Sequence, residues 1–164
     1  NKVDSFSIPR ISQLTQRTNQ FNLTTKRYSE NDILGFSTNK NSDVLYAELE
    51  DKFGNMGIIG ASIIVYNNLE ATLDTFLLSC RVIGRGVEDR LLLETIKLAE
   101  RNKAVKILSK YEKSKKNNQV ADFYDKRNFN IISSSEESTH YSFDIGNSFD
   151  TPSYFKEVNI LHDN

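Results

Sequence analysis

The stretch Thr75–Asn102, TFLLSCRVIGRGVEDRLLLETIKLAERN, constrains the fold more than any other part of this chain. It begins as an apolar strand, passes through Arg81-Val82-Ile83-Gly84-Arg85-Gly86, and leaves as a helix. Val87, Leu91, Leu92, Thr95, Ile96 and Ala99 fall on one face of that helix. Glu88 and Asp89 lie in its first turn and Arg101 in its last, as the helix dipole favours. A strand that hands over directly to an amphipathic helix places the chain among mixed folds, with helices laid on a sheet.

The corner between them invites a functional reading. A helix N-terminus presents unpaired N–H groups and a partial positive charge, so it attracts anions. Gly84 and Gly86 let a backbone approach a phosphate without a Cβ in the way. Arg81 and Arg85 can add charge-assisted hydrogen bonds. The plain structural alternative is a strand-to-helix turn that needs glycine for its dihedral angles. Two known phosphate loops are excluded. A Walker loop needs Lys-Ser or Lys-Thr where Val87-Glu88 stands, and a dinucleotide loop needs glycine at Asp89.

Around this corner the periodicities predict the other elements. Pro9 suits a first helical turn, and Ile11, Leu14, Thr18 and Phe21 follow at helical spacing to about Asn22. LTTKRY (23–28) reads as a short strand. Ser29 and Asp32 form a capping-box pattern for a helix through Phe36. Leu45, Ala47 and Leu49 alternate as in a strand. The β-branched run from Met56 to Tyr66 and the strand Thr72–Cys80 follow, joined at Asn67-Asn68, and complete an antiparallel meander. AVKILS (104–109) is a strand, Asn118–Lys126 a helix, and NIISSS and THYSFDI a final strand pair. The tail, with Pro152, Tyr154 and Phe155, is expected to fold back onto the body.

Composition limits the function. A net charge of −1 gives no global field for nucleic acid. The run Lys103, Lys106, Lys110, Lys113, Lys115 and Lys116 has no interleaved stacking aromatics, so nucleic acid is not an expected partner. Cys80 is the single cysteine, which fits a reducing, cytoplasmic compartment. No apolar run is long enough to span a bilayer, so no membrane is expected. His140 and His162 stand apart from other ligand-type residues, so no metal is expected. The chain opens on Asn1 rather than Met, which suggests a piece of a longer protein.

The pattern Arg81-x-x-Gly84-x-Gly86 resembles the Q/R-x-x-G-x-G/A pyrophosphate loop of the GNAT superfamily of acyl-CoA N-acyltransferases. Asn118, Ala121, Tyr124 and Phe129 in NQVADFYDKRNF keep the order of a second GNAT motif, with Asn128 at the usual glycine. The resemblance implies an α+β fold: a mixed, mostly antiparallel sheet of about seven strands flanked by helices, with an extra N-terminal helix. On this reading residues 1–22 are a linker helix, 23–146 the acyltransferase domain, and 147–164 a tail packed on it. RISQLTQRTNQFNLTTKRYSENDI and FLLSCRVIGRGVED further resemble the C-terminal region of FkbH-like proteins, of haloacid-dehalogenase-type subfamily IIIC. That resemblance implies glyceryl transfer from bisphosphoglycerate to an acyl carrier protein, toward methoxymalonyl units for polyketides. It implies two partners, the carrier protein and an N-terminal phosphatase-like domain. No Asp-x-Asp phosphatase motif occurs here, so no phosphatase activity is expected of this chain.

The resemblance also assigns residues. Coenzyme A or carrier-bound 4'-phosphopantetheine would lie along the edge of Leu78, Ser79 and Cys80. Its phosphate would rest on Arg81, Gly84, Arg85 and Gly86, and Asn118 would contact the arm or cap its helix. Tyr124 would protonate the leaving thiolate, or else only pack under the sheet. Cys80 would accept an acyl group as a thiolate beside Arg81, or else finish a strand as a small buried residue. Asn19, Gln20 and Asn22 would bind a polar acyl group, or else brace the first helix. The lysine run would dock an acidic carrier. The alternatives are an acetyl-CoA-dependent N-acetyltransferase and a non-catalytic carrier-docking module.

Overall fold

A computed structural model describes residues 3–52 and 54–147; the expected packing of the tail and His162 lie outside the described residues. Two helices come first, α1 (Ser7–Arg17) and α2 (Glu30–Thr38). Strands β1 (Ser42–Asp51), β2 (Gly54–Asn67) and β3 (Glu70–Leu78) form the antiparallel meander. The corner leads to α3 (Val87–Arg101), then to β4 (Lys106–Glu112), β5 (Asn130–Ser134) and β6 (Ser138–Asp144). Among the described residues the sheet has six strands in the order β1-β2-β3-β4-β6-β5, all antiparallel except β3 with β4.

Side chains alternate across the sheet and build a core on each face. Phe76 and Leu78 meet Leu91, Leu92 and Ile96 of α3. Leu77, between them, joins Ile63, Ile11 of α1 and Ile33 of α2 on the opposite face. The N-terminal helix is therefore built into the domain, so the boundary read at residue 22 falls inside packed structure. Asp4 caps it, its Oδ1 accepting from the N–H groups of Phe6 (2.9 Å) and Ser7 (2.7 Å). The Ser29–Asp32 capping box opens α2 as expected.

The parallel pair β3–β4 holds only from Glu70↔Lys106 to Leu73↔Ser109. Beyond that the strands part, and Phe21–Leu23 fills the gap. The Leu23 N–H donates to Phe76 O (3.2 Å) and the Leu78 N–H to Phe21 O (3.0 Å). On the other side the Glu112 N–H donates to Leu23 O (2.7 Å). Asn117, fully buried, fastens the join. Its Nδ2 donates to Asn22 O (3.0 Å) and Glu112 O (2.8 Å), while its Oδ1 accepts from Ser114 N (2.8 Å) and the Tyr111 hydroxyl (3.1 Å). Phe21 and Leu23 are 2% and 0% exposed, against Phe76 and Phe123. Burial of each contributes about 1.5–3 kcal/mol, and each main-chain bond about 1 kcal/mol.

Three sequence expectations change here. LTTKRY is not a strand: after Leu23 the chain turns away at Thr25, whose φ of 57° breaks an extended run. This accounts for six strands rather than seven. The first helix stops at Arg17, because Thr18 is extended and the Arg27 guanidinium takes the Thr15 (2.7 Å) and Gln16 carbonyls. Residues 118–126 form no α-helix but 3-10 turns at Asn118–Val120 and Asp125–Arg127. These turns are pinned by Arg127, which meets Asp89 of α3 at 2.5 Å and stacks on Phe123 at 3.9 Å. Asn128 does adopt the left-handed cap, at φ 61°.

Asn117→Ala should lower stability by roughly 2–4 kcal/mol, since several buried partners lose their bond together. Asn118→Ala, at an exposed site, should stay within about 0.5 kcal/mol. Urea denaturation of the two variants checks the pair. A second prediction concerns alkali. Burial first, then hydrogen bonds to Asp74, Asp43 and Asp125, push the phenols of Tyr28, Tyr66 and Tyr141 well above 10.0. Burial alone dominates for Tyr124. A raised folded pKa favours the protonated fold, so this stability is whole below pH 10.0 and is lost as pH rises past it. A phenolate absorbance titration should therefore show these tyrosines ionising together with unfolding.

Candidate functional site

The strand-to-helix corner opens onto a cleft of about 1100 Å³ between α1, the β1–β2 hairpin and the loop after α1. Leu78 ends β3, and Cys80–Val82 makes a single 3-10 turn. Ser79 caps that turn, its Oγ accepting from the Arg81 N–H (3.5 Å) and Nε (3.3 Å). Arg81 then reaches across to Met56 O at 3.4 Å, on the hairpin. Cys80 is exposed at the cleft wall, so it is not the small buried strand end of the alternative reading.

The cleft gathers Asn19, Gln20, Ser79, Cys80 and Arg81 from the sequence-derived candidates. Arg10 and Arg17 of α1 and Lys116 join them against Asp4 and Glu48, so positive charge prevails. Asn19 Oδ1 is held by Arg27 at 2.6 Å. Lys116 is the member of the lysine run that reaches this space. Lys106 and Lys110 are instead paired on the sheet with Asp144 and Glu112.

The remaining candidates lie elsewhere. Leu78 is fully buried, and its N–H, the proposed pantetheine edge, is bonded to Phe21. Asn22 is 1% exposed and braces its own loop, accepting from the Thr25 N–H at 3.0 Å. Asn118 is exposed at the start of a 3-10 turn, and the buried amide that does the fastening is Asn117. Tyr124 is fully buried among Phe123, Phe129 and Tyr141, with ring centroids 4.9–5.2 Å away. Its hydroxyl has no hydrogen-bond partner and does not line the cleft. Its ring fills the aromatic cluster between the 3-10 turns and the sheet.

Gly84 and Gly86 both sit at φ 77°, where a side chain is strained. The Gly84 N–H donates to Oε1 of Glu88 at 3.1 Å, and Glu88 is 8% exposed. An internal carboxylate thus stands at the corner assigned to phosphate. Gly84, Arg85 and Gly86 do not line the cleft. The sequence reading missed Glu88, Asn117, Arg10 and Arg17. Spacing could have suggested Arg10 and Arg17 on one side of α1, but nothing local marks Asn117 over Asn118. Among the described residues, no three His, Cys, Asp or Glu side chains are grouped to hold a metal ion. No described helix is long and apolar enough to cross a membrane.

No family model matches the sequence, and no curated protein matches it. Solved structures do match in shape. The ribosomal-protein-S18-alanine N-acetyltransferase of Escherichia coli is 14% identical, with TM-score 0.65 over 94% of this chain and 97% of that one. Rv2747 of Mycobacterium tuberculosis, solved in complex with CoA, is 10% identical, with TM-score 0.67 over 88% and 97%. Ard1 of Thermoplasma volcanium is 15% identical, with TM-score 0.67 over 88% and 95%. At these identities the likeness is one of architecture: this chain has the GNAT acyl-CoA N-acyltransferase fold.

Proposed function

We propose that this is an acyltransferase-like domain that handles an acyl group carried on phosphopantetheine and serves glyceryl transfer to an acyl carrier protein. The observation that carries it is the exposed Cys80 thiol in a positively lined cleft, beside Ser79 and Arg81 and across from Asn19 and Gln20. The GNAT fold supports acyl transfer as a class. The glyceryl group, the bisphosphoglycerate donor and the phosphatase-like partner rest on the FkbH-like resemblance of RISQLTQRTNQFNLTTKRYSENDI and FLLSCRVIGRGVED. Cys80 Sγ would attack the acyl-phosphate carbonyl of the bisphosphoglycerate: a C–S bond forms as the C–O bond to phosphate breaks, and phosphate leaves. The carrier's pantetheine thiol would then attack that glyceryl thioester, its new C–S bond forming as the bond to Cys80 breaks and its proton passing to Cys80. Run backward, this second step moves a glyceryl group from a charged carrier onto Cys80. Arg10, Arg17, Arg81 and Lys116 offer an acidic carrier its docking rim.

The rim also supports a second reading, a docking module without chemistry, because Tyr124 is out of reach of the cleft. An amine N-acetyltransferase is the third, and acetylation of an amine by this domain would favour it. Intact-mass measurement separates the first two. A glyceryl-charged carrier protein should leave one hydroxylamine-labile glyceryl adduct on the domain, absent from Cys80→Ala. No adduct on the parent protein, with carrier binding kept, points to docking alone. Arg81→Ala should slow adduct formation about ten-fold, the worth of one charge-assisted hydrogen bond.

A further inference from the structure

Coenzyme A is the cofactor that the GNAT fold implies, and its expected place is the strand gap beside β3 together with the corner before α3. The residues present do not fit it there. We infer that this chain fills the fold's cofactor slot with its own groups, so that a thioester arm reaches Cys80 from the α1-side cleft and not through the gap.

The gap has no free edge. The Phe76 carbonyl and the Leu78 N–H, which point from β3 toward β4, are bonded to Leu23 and Phe21. The facing Glu112 N–H of β4 is bonded to Leu23. The Phe21 ring packs against both Phe76 and Phe123, and Leu23 belongs to the same buried cluster. Asn117 ties the inserted backbone to the end of β4. A segment so buried and so fully bonded is part of the core, not a flap over it.

The corner is filled by charge. Glu88 Oε1 accepts the Gly84 N–H that an anion would use, and its Oε2 is buried without a hydrogen-bond partner. A pyrophosphate placed there would face a buried carboxylate, which repels it. The two substitutions agree: peptide stands where the pantetheine arm would pair, and carboxylate stands where the phosphate would sit. On the other face of the same strand end, Cys80, Arg81, Asn19 and Gln20 remain open to the cleft. The closure of the slot is independent of the proposed function. The route of the arm rests on that function.

Amide chemical-shift titration tests both halves, with coenzyme A and an unloaded holo carrier protein as separate probes. Coenzyme A should leave Gly84, Glu88, Leu78 and Tyr124 unmoved, or at most shift the cleft. Holo carrier should shift Asn19, Gln20, Cys80, Arg81 and Lys116. Saturable shifts by coenzyme A at Gly84–Glu88 and Tyr124 would overturn the closure. Glu88→Gln keeps the shape and removes the charge; because peptide still fills the gap, coenzyme A should leave Leu78 and Tyr124 unmoved in this variant too, and saturable shifts there would overturn the closure. Holo carrier that shifts the slot residues, or none at all, would overturn the cleft route. Cleft shifts without any acyl adduct on Cys80 would instead defeat the transfer chemistry and leave the route standing.

Discussion

The three residues Phe21-Asn22-Leu23, inserted between β3 and β4, hold the two halves of this sheet together. The parallel pair ends at Leu73↔Ser109, and without the insert the strands would diverge with unpaired edges inside the protein. Buried backbone groups must find partners, and here the loop after α1 supplies them. That single join couples distant parts of the chain. Asn117 lies far along the sequence from Asn22, yet its amide needs the Asn22 carbonyl to be satisfied. Arg27, four residues past Leu23, in turn closes the C-terminus of α1. The same guanidinium holds Asn19, which lines the cleft, at 2.6 Å.

This coupling separates the two faces of the sheet by role. On the α3 face, Tyr124, Phe123, Phe129 and Phe143 pack ring against ring, and the polar groups are enclosed. On the α1 face, the corner residues Ser79–Arg81 stay accessible and are flanked by cations. Function on the first face would require opening a core. Function on the second requires only approach. The proposed chemistry follows from that asymmetry more than from any one residue.

What could be read from the sequence was what local pattern determines. The amphipathic stripe of α3, the Ser29–Asp32 box and the Asn67-Asn68 hairpin each arise from neighbours in the chain, and each appears as expected. The fold followed from their order. The errors share a cause: long-range partners overrode local preference. LTTKRY has strand propensity, but only Leu23 pairs, between β3 and β4, and the chain then turns at Thr25. NQVADFYDK has helical spacing, but Asn117 on one side and the Asp89–Arg127 pair on the other hold it in short turns. At the site, the exposure of Cys80 was not legible in the sequence, because it depends on the 3-10 turn that begins at Cys80 where β3 has ended.

The glycine corner has a backbone account that needs no ligand. Both glycines have a backbone reason that holds with or without a phosphate, since φ is 77° at each. A helix start still concentrates unpaired N–H groups and positive potential, and something must satisfy them. In this chain Glu88, from the first turn of the same helix, accepts the N–H of Gly84, just ahead of the helix, at 3.1 Å. A carboxylate held there by its own helix loses little entropy on binding, whereas a dissolved ligand must be captured and ordered. The Gly84 N–H is thus satisfied from within the chain. Arg81, left over from that task, points toward Met56 across the cleft, where a charged partner has room to meet it.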